Sequence, residues 1–323
     1  MKILHAAAIT PHQCGLYETA RELAAAERAV GHDARLIDST KAHVDRGVPT
    51  GNGWNFIREC DVIVSHSGPS AEMRESKKPV VQVRHGRPRS TFLIESSGGG
   101  NIYTYMRKMR DDPQFVAWVT LWPEHKAYWE LLLGKEVYVI PPPVDLETFT
   151  PEGPTGYKWH GRGGEINVVI ADMWRKDKDP FDVVNAFALF AKTHKGAKLH
   201  VFGNTQHMKA WPTLKKCLEE RNILGQAPGH VTGLANAYRA ADMLITPHTM
   251  ATRTVREALA CGCPAVTGNE AQPDHPEDFA RAMNDVLLAN RATVRASARA
   301  RAEREFDPKM SATALLEIIN GIL

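Results

Sequence analysis

Thr252, Arg253 and Thr254 stand where a strand ending near Pro247 turns into a helix, and Glu257 follows in that helix's first turn. Two hydroxyls, a guanidinium and the open N–H groups of a new helix suit the oxygens of a phosphate or diphosphate. Taken alone, Glu257 complements the helix dipole. Imidazoles form a second group. His85 ends an apolar strand and precedes Gly86, and His12 and His66 also fall near turns. An imidazole at a strand end can give or take a hydrogen bond at a reacting oxygen. Six basic residues (84, 87, 89, 107, 108, 110) lie between Arg84 and Arg110 against one acid, Glu95. With the run Ser96-Ser97-Gly98-Gly99-Gly100 and the rings of Tyr103 and Tyr105 beside them, they suit a polyanion, including a nucleic-acid backbone with stacked bases. Arg291, Arg295 and Arg299 recur every four residues on a late helix and read as a solvated face.

The elements that must position these groups alternate. Apolar runs at residues 2–8, 34–37, 62–64, 80–83, 116–119 and 137–140 read as strands. Helical spacing at residues 16–30, 54–60 and 125–133 separates several of them, and Gly31 sits where a C-terminal helix cap belongs. Such alternation with short connections means a parallel sheet covered on both faces. From Pro141 to Glu165 the rhythm breaks into prolines and glycines, a linker. A second set follows. Strands are expected at 167–171, 198–202, 230–232, 243–246 and 264–267, and helices after Asp179 and at 212–221, 235–240, 254–261 and 277–288. The expected organisation is α/β: two Rossmann-like, doubly wound domains facing each other across a cleft. Residues 1–145 form the first domain, 146–165 the hinge and 166–323 the second, with the last helix packing back on the first. In such sheets ligands sit at the carboxyl ends of the strands.

Composition narrows the class. The 323 residues are 43% hydrophobic and 24% charged, with net charge +3, which excludes a disordered tail, a collagen-like fibre and a coiled-coil rod. The charge balance by itself demands no nucleic-acid partner. No apolar run is long enough to span a membrane, and the chain opens directly into a strand-like run rather than a leader. Five scattered cysteines (14, 60, 217, 261, 263) read as reduced thiols of a cytoplasmic protein, and Cys261-Gly262-Cys263 lacks the spacing of a zinc site.

Four segments in register resemble one family. Val139-Ile140-Pro141-Pro142-Pro143-Val144-Asp145 through Phe149-Thr150-Pro151 resembles the hinge signature of family 4 retaining glycosyltransferases with the GT-B fold. Glu257-Ala258-Leu259-Ala260-Cys261-Gly262-Cys263-Pro264 is similar to that family's EAMAxGxP element. Gly31-His32-Asp33-Ala34 and Pro79–Gly86 resemble its segments after the first helix and at the strand ending in an active-site histidine. The order and spacing fit over nearly the whole chain.

The resemblance implies a nucleotide-diphosphate-sugar co-substrate, UDP- or GDP-linked, bound mainly by the second domain, with the acceptor on the first. It implies that Glu257 holds the ribose hydroxyls and that Thr252, Arg253 and Thr254 meet the diphosphate. The family's earlier carboxylate is replaced by Thr249, leaving His248 or Thr249 to contact the donor sugar. In the segment Ala171–Pro180, Lys178 falls on the family lysine and Met173 on its arginine, so Arg175 is expected to supply that charge from a shifted position. Gly15 lies in the glycine loop where backbone approaches the donor phosphates. His85 is the expected catalytic imidazole.

Together these imply front-face transfer to an acceptor hydroxyl, with no protein cofactor and no metal, since no DxD-like motif is present. The acceptor is a saccharide, a lipid-linked group or a nucleic acid. Two alternatives accompany this reading: a phage-type enzyme glycosylating a hydroxylated DNA base, and an inactive sugar-nucleotide-binding module.

Overall fold

Short aliphatic and β-branched runs with no polar alternation form strands buried on both faces. The computed structural model describes residues 1–7, 15–37, 43–51, 54–68, 70–86, 102–154, 157–159, 163–172, 174, 181–206, 208–231, 233–270 and 275–323, without the side chains of 102–105. These divide into two units: Met1–Pro143 with Phe306–Leu323, and Val144–Glu305.

The first unit's strands are β1 (Lys2–Ala6), β2 (Asp33–Ile37), β3 (His43–Asp45), β4 (Val48–Gly51), β5 (Val62–Ser65), β6 (Val80–Arg84), β7 (Phe115–Thr120) and β8 (Tyr138–Val139). They form one sheet in the order β3-β4-β2-β1-β5-β6-β7-β8, parallel except for the β3–β4 pair. Its helices are α1 (Gly15–Ala29), α2 (Trp54–Glu59), α3 (Ala71–Glu75), α4 (Ile102–Asp111) and α5 (Pro123–Leu133). Leu4, Ile57, Ile63, Met106, Met109, Phe115, Trp118, Trp129 and Leu133 close one core. The terminal helix, Pro308–Ile322, packs on α1 and β7, burying Leu315, Leu316 and Ile319 within this unit.

The β3–β4 hairpin is absent from the sequence reading. It turns at Arg46 (φ 47°) and Gly47 (φ 83°), two successive left-handed residues that match the twist of a tight hairpin. Tyr17 of α1 fastens it by donating to Asp45 at 2.7 Å.

The second unit is a four-stranded parallel sheet. Its strands, β9 (Ile166–Ala171), β10 (Ala197–Phe202), β11 (Met243–Ile245) and β12 (Ala265–Val266), lie in the order β10-β9-β11-β12. Around it are α6 (Phe181–Thr193), α7 (Trp211–Glu220), α8 (Ala235–Ala240), α9 (Arg253–Ala260), α10 (Pro276–Leu288) and α11 (Arg291–Phe306, whose last residue belongs to the first unit); the terminal helix is α12. Val168, Ile170, Phe187, Phe190, Leu199, Ile245 and Phe279 are at its core.

Two expectations are corrected here. The segment expected as a strand at 230–232 is not one over its described residues, His230 and Val231. Instead, residues 224–229 run beside β10, touching it through single parallel bridges at Leu199–Leu224 and Phe202–Gly229. Gly225, Pro228 and Gly229 keep that run from building a continuous ladder. The arginine stripe is not a solvated face. Arg295 donates to the carbonyls of Arg239 (2.9 Å) and Ala241 (3.1 Å), and Arg299 to those of Phe149 and Ala260, both at 2.9 Å. The last carbonyls of α8 and α9 lack helical partners, and guanidinium forks supply the donors. Arg239 likewise donates to the carbonyls of Thr150 (2.9 Å) and Pro154 (3.1 Å), so residues 150–154 are fastened to α8 rather than left as a loose connection.

Candidate functional site

In the second unit, the loop after β11 leads through Pro247, His248 and Thr249 to Thr252, the residue preceding α9. The loop is braced from behind. Gly268 donates its N–H to the His248 carbonyl at 2.9 Å, and the Asn269 amide donates to the Thr249 carbonyl. A Cβ on Gly268 would sit 2.7 Å from the Pro247 carbonyl oxygen, so only glycine lets these loops meet.

His248, 5% exposed, places Nε2 2.6 Å from the Asp172 carboxylate. Asp172 follows β9 directly, so this contact ties together the carboxyl ends of two neighbouring strands. Nothing local in the sequence marks Asp172 as the partner of a residue 76 positions away.

No side chain caps the start of α9. The hydroxyls of Thr252 and Thr254 lie 3.2 Å apart there. One turn in, Arg253 Nε meets Glu257 Oε1 at 2.6 Å, both side chains largely buried. The expected phosphate cation and the expected ribose acceptor are therefore paired with each other, and a nucleotide that uses both must open that pair. Behind them, the Tyr238 hydroxyl of α8 is buried with no hydrogen-bond partner. Burial first, then the Glu257 charge, holds its pKa well above the usual phenol value, so it stays a neutral donor. Burial also raises the Cys261 and Cys263 thiols to about 12, which keeps them protonated and inert. Among the described residues no group of three or more His, Cys, Asp or Glu side chains is arranged to hold a metal ion.

In the first unit, Gly15 opens the 15-residue helix α1, and His85 follows β6. His85 Nε2 lies 2.8 Å from His66 Nδ1, and His66 Nε2 lies 2.9 Å from His5 Nδ1. Burial first, then the neighbouring imidazoles of His85 and His5, holds His66 well below the ordinary histidine range, so it is neutral. His5 was read only as part of a strand.

Lys178, Arg175, Met173, His12, Arg87, Arg89, Glu95, Ser96–Gly100 and the side chains of Tyr103 and Tyr105 lie outside the described residues. The structure brings His248, Thr249, Thr252, Arg253, Thr254 and Glu257 onto one loop and helix, and His85 beside His66.

Residues 165–302 match the family described as glycosyl transferases group 1. No curated protein matches the chain by sequence. Among solved structures, Anabaena HepE in complex with UDP and glucose is similar over 99% of both chains, with TM-score 0.78 and 15% identity. A glycosyltransferase from Rickettsia africae is similar over 99% of this chain and 98% of its own, with TM-score 0.75 and 15% identity. An alpha-glucosyltransferase in complex with UDP-glucose and DNA containing an abasic site reaches TM-score 0.69 at 13% identity over 98% of each chain. Among the described residues no helix is long and apolar enough to cross a membrane. Over residues 165–302 the chain is similar to the group 1 glycosyl transferases, and along its whole length it has the GT-B fold.

Proposed function

We propose that the chain transfers a sugar, with retention of configuration, from a UDP- or GDP-linked donor to an acceptor hydroxyl. The observation that carries this is the group 1 match over residues 165–302, the segment holding the uncapped start of α9 and the Arg253–Glu257 pair. In this reading the donor's ribose hydroxyls take Glu257 as acceptor, and its diphosphate takes the α9 amides, the Thr252 and Thr254 hydroxyls and Arg253. The donor sugar takes its contacts from His248, held by Asp172, or from Thr249. Gly15, without a Cβ, is the residue of the first unit whose backbone this reading assigns to the donor phosphates.

The acceptor hydroxyl attacks from the leaving group's side. Its proton passes to the departing phosphate oxygen as the new C–O bond forms and the old one breaks. Arg253, with Lys178 and Arg175, balances the charge that grows on the diphosphate, and His85 bonds the donor as the bond opens. Fixed cations and amides at that position do the work a metal would otherwise do. Transfer is therefore expected to persist in EDTA. Loss of turnover in EDTA, restored by Mn²⁺, would contradict this part of the reading.

Thermal shift across UDP-, GDP-, ADP- and dTDP-sugars, followed by an assay for transfer or donor hydrolysis, tests the proposal. A shift with UDP- or GDP-sugars and turnover supports it; binding without turnover supports the idle-module alternative; no shift removes the donor assignment. A hydroxylated DNA base as acceptor is a second reading. In α4, Arg107 and Lys108 are exposed while Met106 and Met109 are buried, which presents paired positive charge on one face. Salt-dependent DNA binding lost in the double variant Arg107→Ala/Lys108→Ala would favour it.

A further inference from the structure

The carboxyl ends of three neighbouring strands, β1, β5 and β6, carry His5, His66 and His85. Adjacent strands are about 4.8 Å apart, and the ring centroids repeat that spacing at 5.2 Å and 5.0 Å. The row ends inward on α1, where Glu27 Oε2 lies 2.8 Å from His5 Nε2. His5 and Glu27 are fully buried and His66 nearly so, while His85 is partly exposed. Four side chains from four elements are thus joined in a row by three hydrogen bonds, each between 2.8 and 2.9 Å.

Such a chain has a direction, because a neutral imidazole donates from one nitrogen and accepts at the other. An ionised Glu27 only accepts, so His5 must donate from Nε2 and accept at Nδ1. His66 must then donate from Nε2 and accept at Nδ1, and His85 must donate from Nε2. A protonated Glu27 reverses every bond. The depressed basicity of His66 fits both arrangements, since each keeps that ring neutral. The second oxygen of Glu27, Oε1, is buried with no hydrogen-bond partner. In its ionised form the Glu27 carboxylate would therefore have a single hydrogen bond.

We propose that Glu27, His5 and His66 are positioning residues that fix the tautomer of His85 and receive, at the Glu27 carboxylate, a proton that arrives at His85 Nδ1. As that proton binds, the Nε2 proton of His85 passes to His66 Nδ1. The Nε2 proton of His66 passes to His5 Nδ1, and that of His5 passes to Glu27 Oε2. Only N–H and O–H bonds change, one proton is gained, and the charge of the cluster goes from −1 to 0 without a lasting imidazolium. In the resting state His85 Nδ1 is an acceptor, which suits it to a sugar hydroxyl rather than to a phosphate oxygen. That consequence rests on the proposed transfer reaction; the relay itself does not.

The test reads the ring nitrogens of ¹⁵N-histidine-labelled full-length protein without donor, with His85 assigned by the signal lost in His85→Asn. The wild type should show His85, His66 and His5 protonated at Nε2 alone. In Glu27→Gln, whose amide can donate or accept, and in His66→Asn, which interrupts the row, His85 should spread its proton over both nitrogens. Wild-type rings protonated at Nδ1, or a His85 tautomer unchanged in whichever variants fold, overturns the relay. Because no nucleotide-sugar is present, that failure is distinct from a failure of the transferase reading.

Discussion

The strand ends of the two units are built on the same kind of parallel sheet and carry different chemistry. In the first unit imidazole rings face one another, with one buried carboxyl group behind them and hydrogen bonds running from strand to strand. In the second, a full ion pair, two hydroxyls and an uncapped helix start are gathered on a single loop and helix. The first arrangement can pass a proton along its row, because each ring has one nitrogen that donates and one that accepts. The second cannot; its arginine stays charged, and what it offers is fixed positive potential for an anion. Each kind of chemistry lies within its own unit.

Removing the outer ring tests the proton-handling side most severely. His85→Ala should lower kcat by about 10²–10³-fold, the usual worth of one group that bonds the transition state, with donor affinity nearly unchanged. Initial rates and donor titration separate the two; an equal fall in donor affinity would make His85 a binding group and erase the contrast. A smaller effect is expected from the packing that holds the second unit's helix ends. Arg299→Ala removes a charged donor from the Phe149 and Ala260 carbonyls. It should cost about 1.5–3 kcal/mol in unfolding free energy, read by urea denaturation, while Arg291→Ala, exposed beside Asp242, should cost under about 1 kcal/mol. Equal costs would return the stripe to a solvated face.

Acid should affect both units, for one shared reason. Burial holds His66 well below the ordinary histidine range, and burial, with the Lys198 charge, holds His200 down to about 3. Folded-state values below the unfolded ones mean that the unfolded chain binds more protons as pH falls. This stability is fully present above about pH 6.5 and declines below it by about 1.4 kcal/mol per pH unit for each ring until the folded-state value is reached. Urea midpoints at pH 7.5, 6.0 and 5.0 should fall in step. A midpoint unchanged to pH 5 would mean that these rings are charged in the folded protein.

The strands were legible because both faces of a parallel sheet are buried. Runs such as Val62-Ile63-Val64 and Val168-Val169-Ile170-Ala171 show this as unbroken apolar sequence. The β3–β4 hairpin was not legible, since His43-Val44-Asp45 is short and largely polar and its turn depends on φ at Arg46 and Gly47. At the second unit's site, Glu257 and the Thr252–Thr254 turn could be read from local spacing and resemblance. The Asp172 partner of His248 could not, because the pairing follows from β9 lying beside β11. The same holds for the histidine row. His5, His66 and His85 are isolated in sequence and meet only through the strand order β1-β5-β6. Arg295 and Arg299 misled for a related reason, as their carbonyl partners lie on other elements.

The central claim is that the second unit holds the nucleotide of a sugar donor through Glu257 and the start of α9. Calorimetric titration of UDP and GDP into the wild type and into folded Glu257→Ala addresses it directly. The wild type should bind one of them, and the variant should lose about 10–100-fold in affinity, the worth of a hydrogen bond to a charged group, with its thermal stability without nucleotide within a few degrees of wild type. Unchanged affinity in the variant would contradict the placement of the ribose and, with it, the account of the second unit as the donor site.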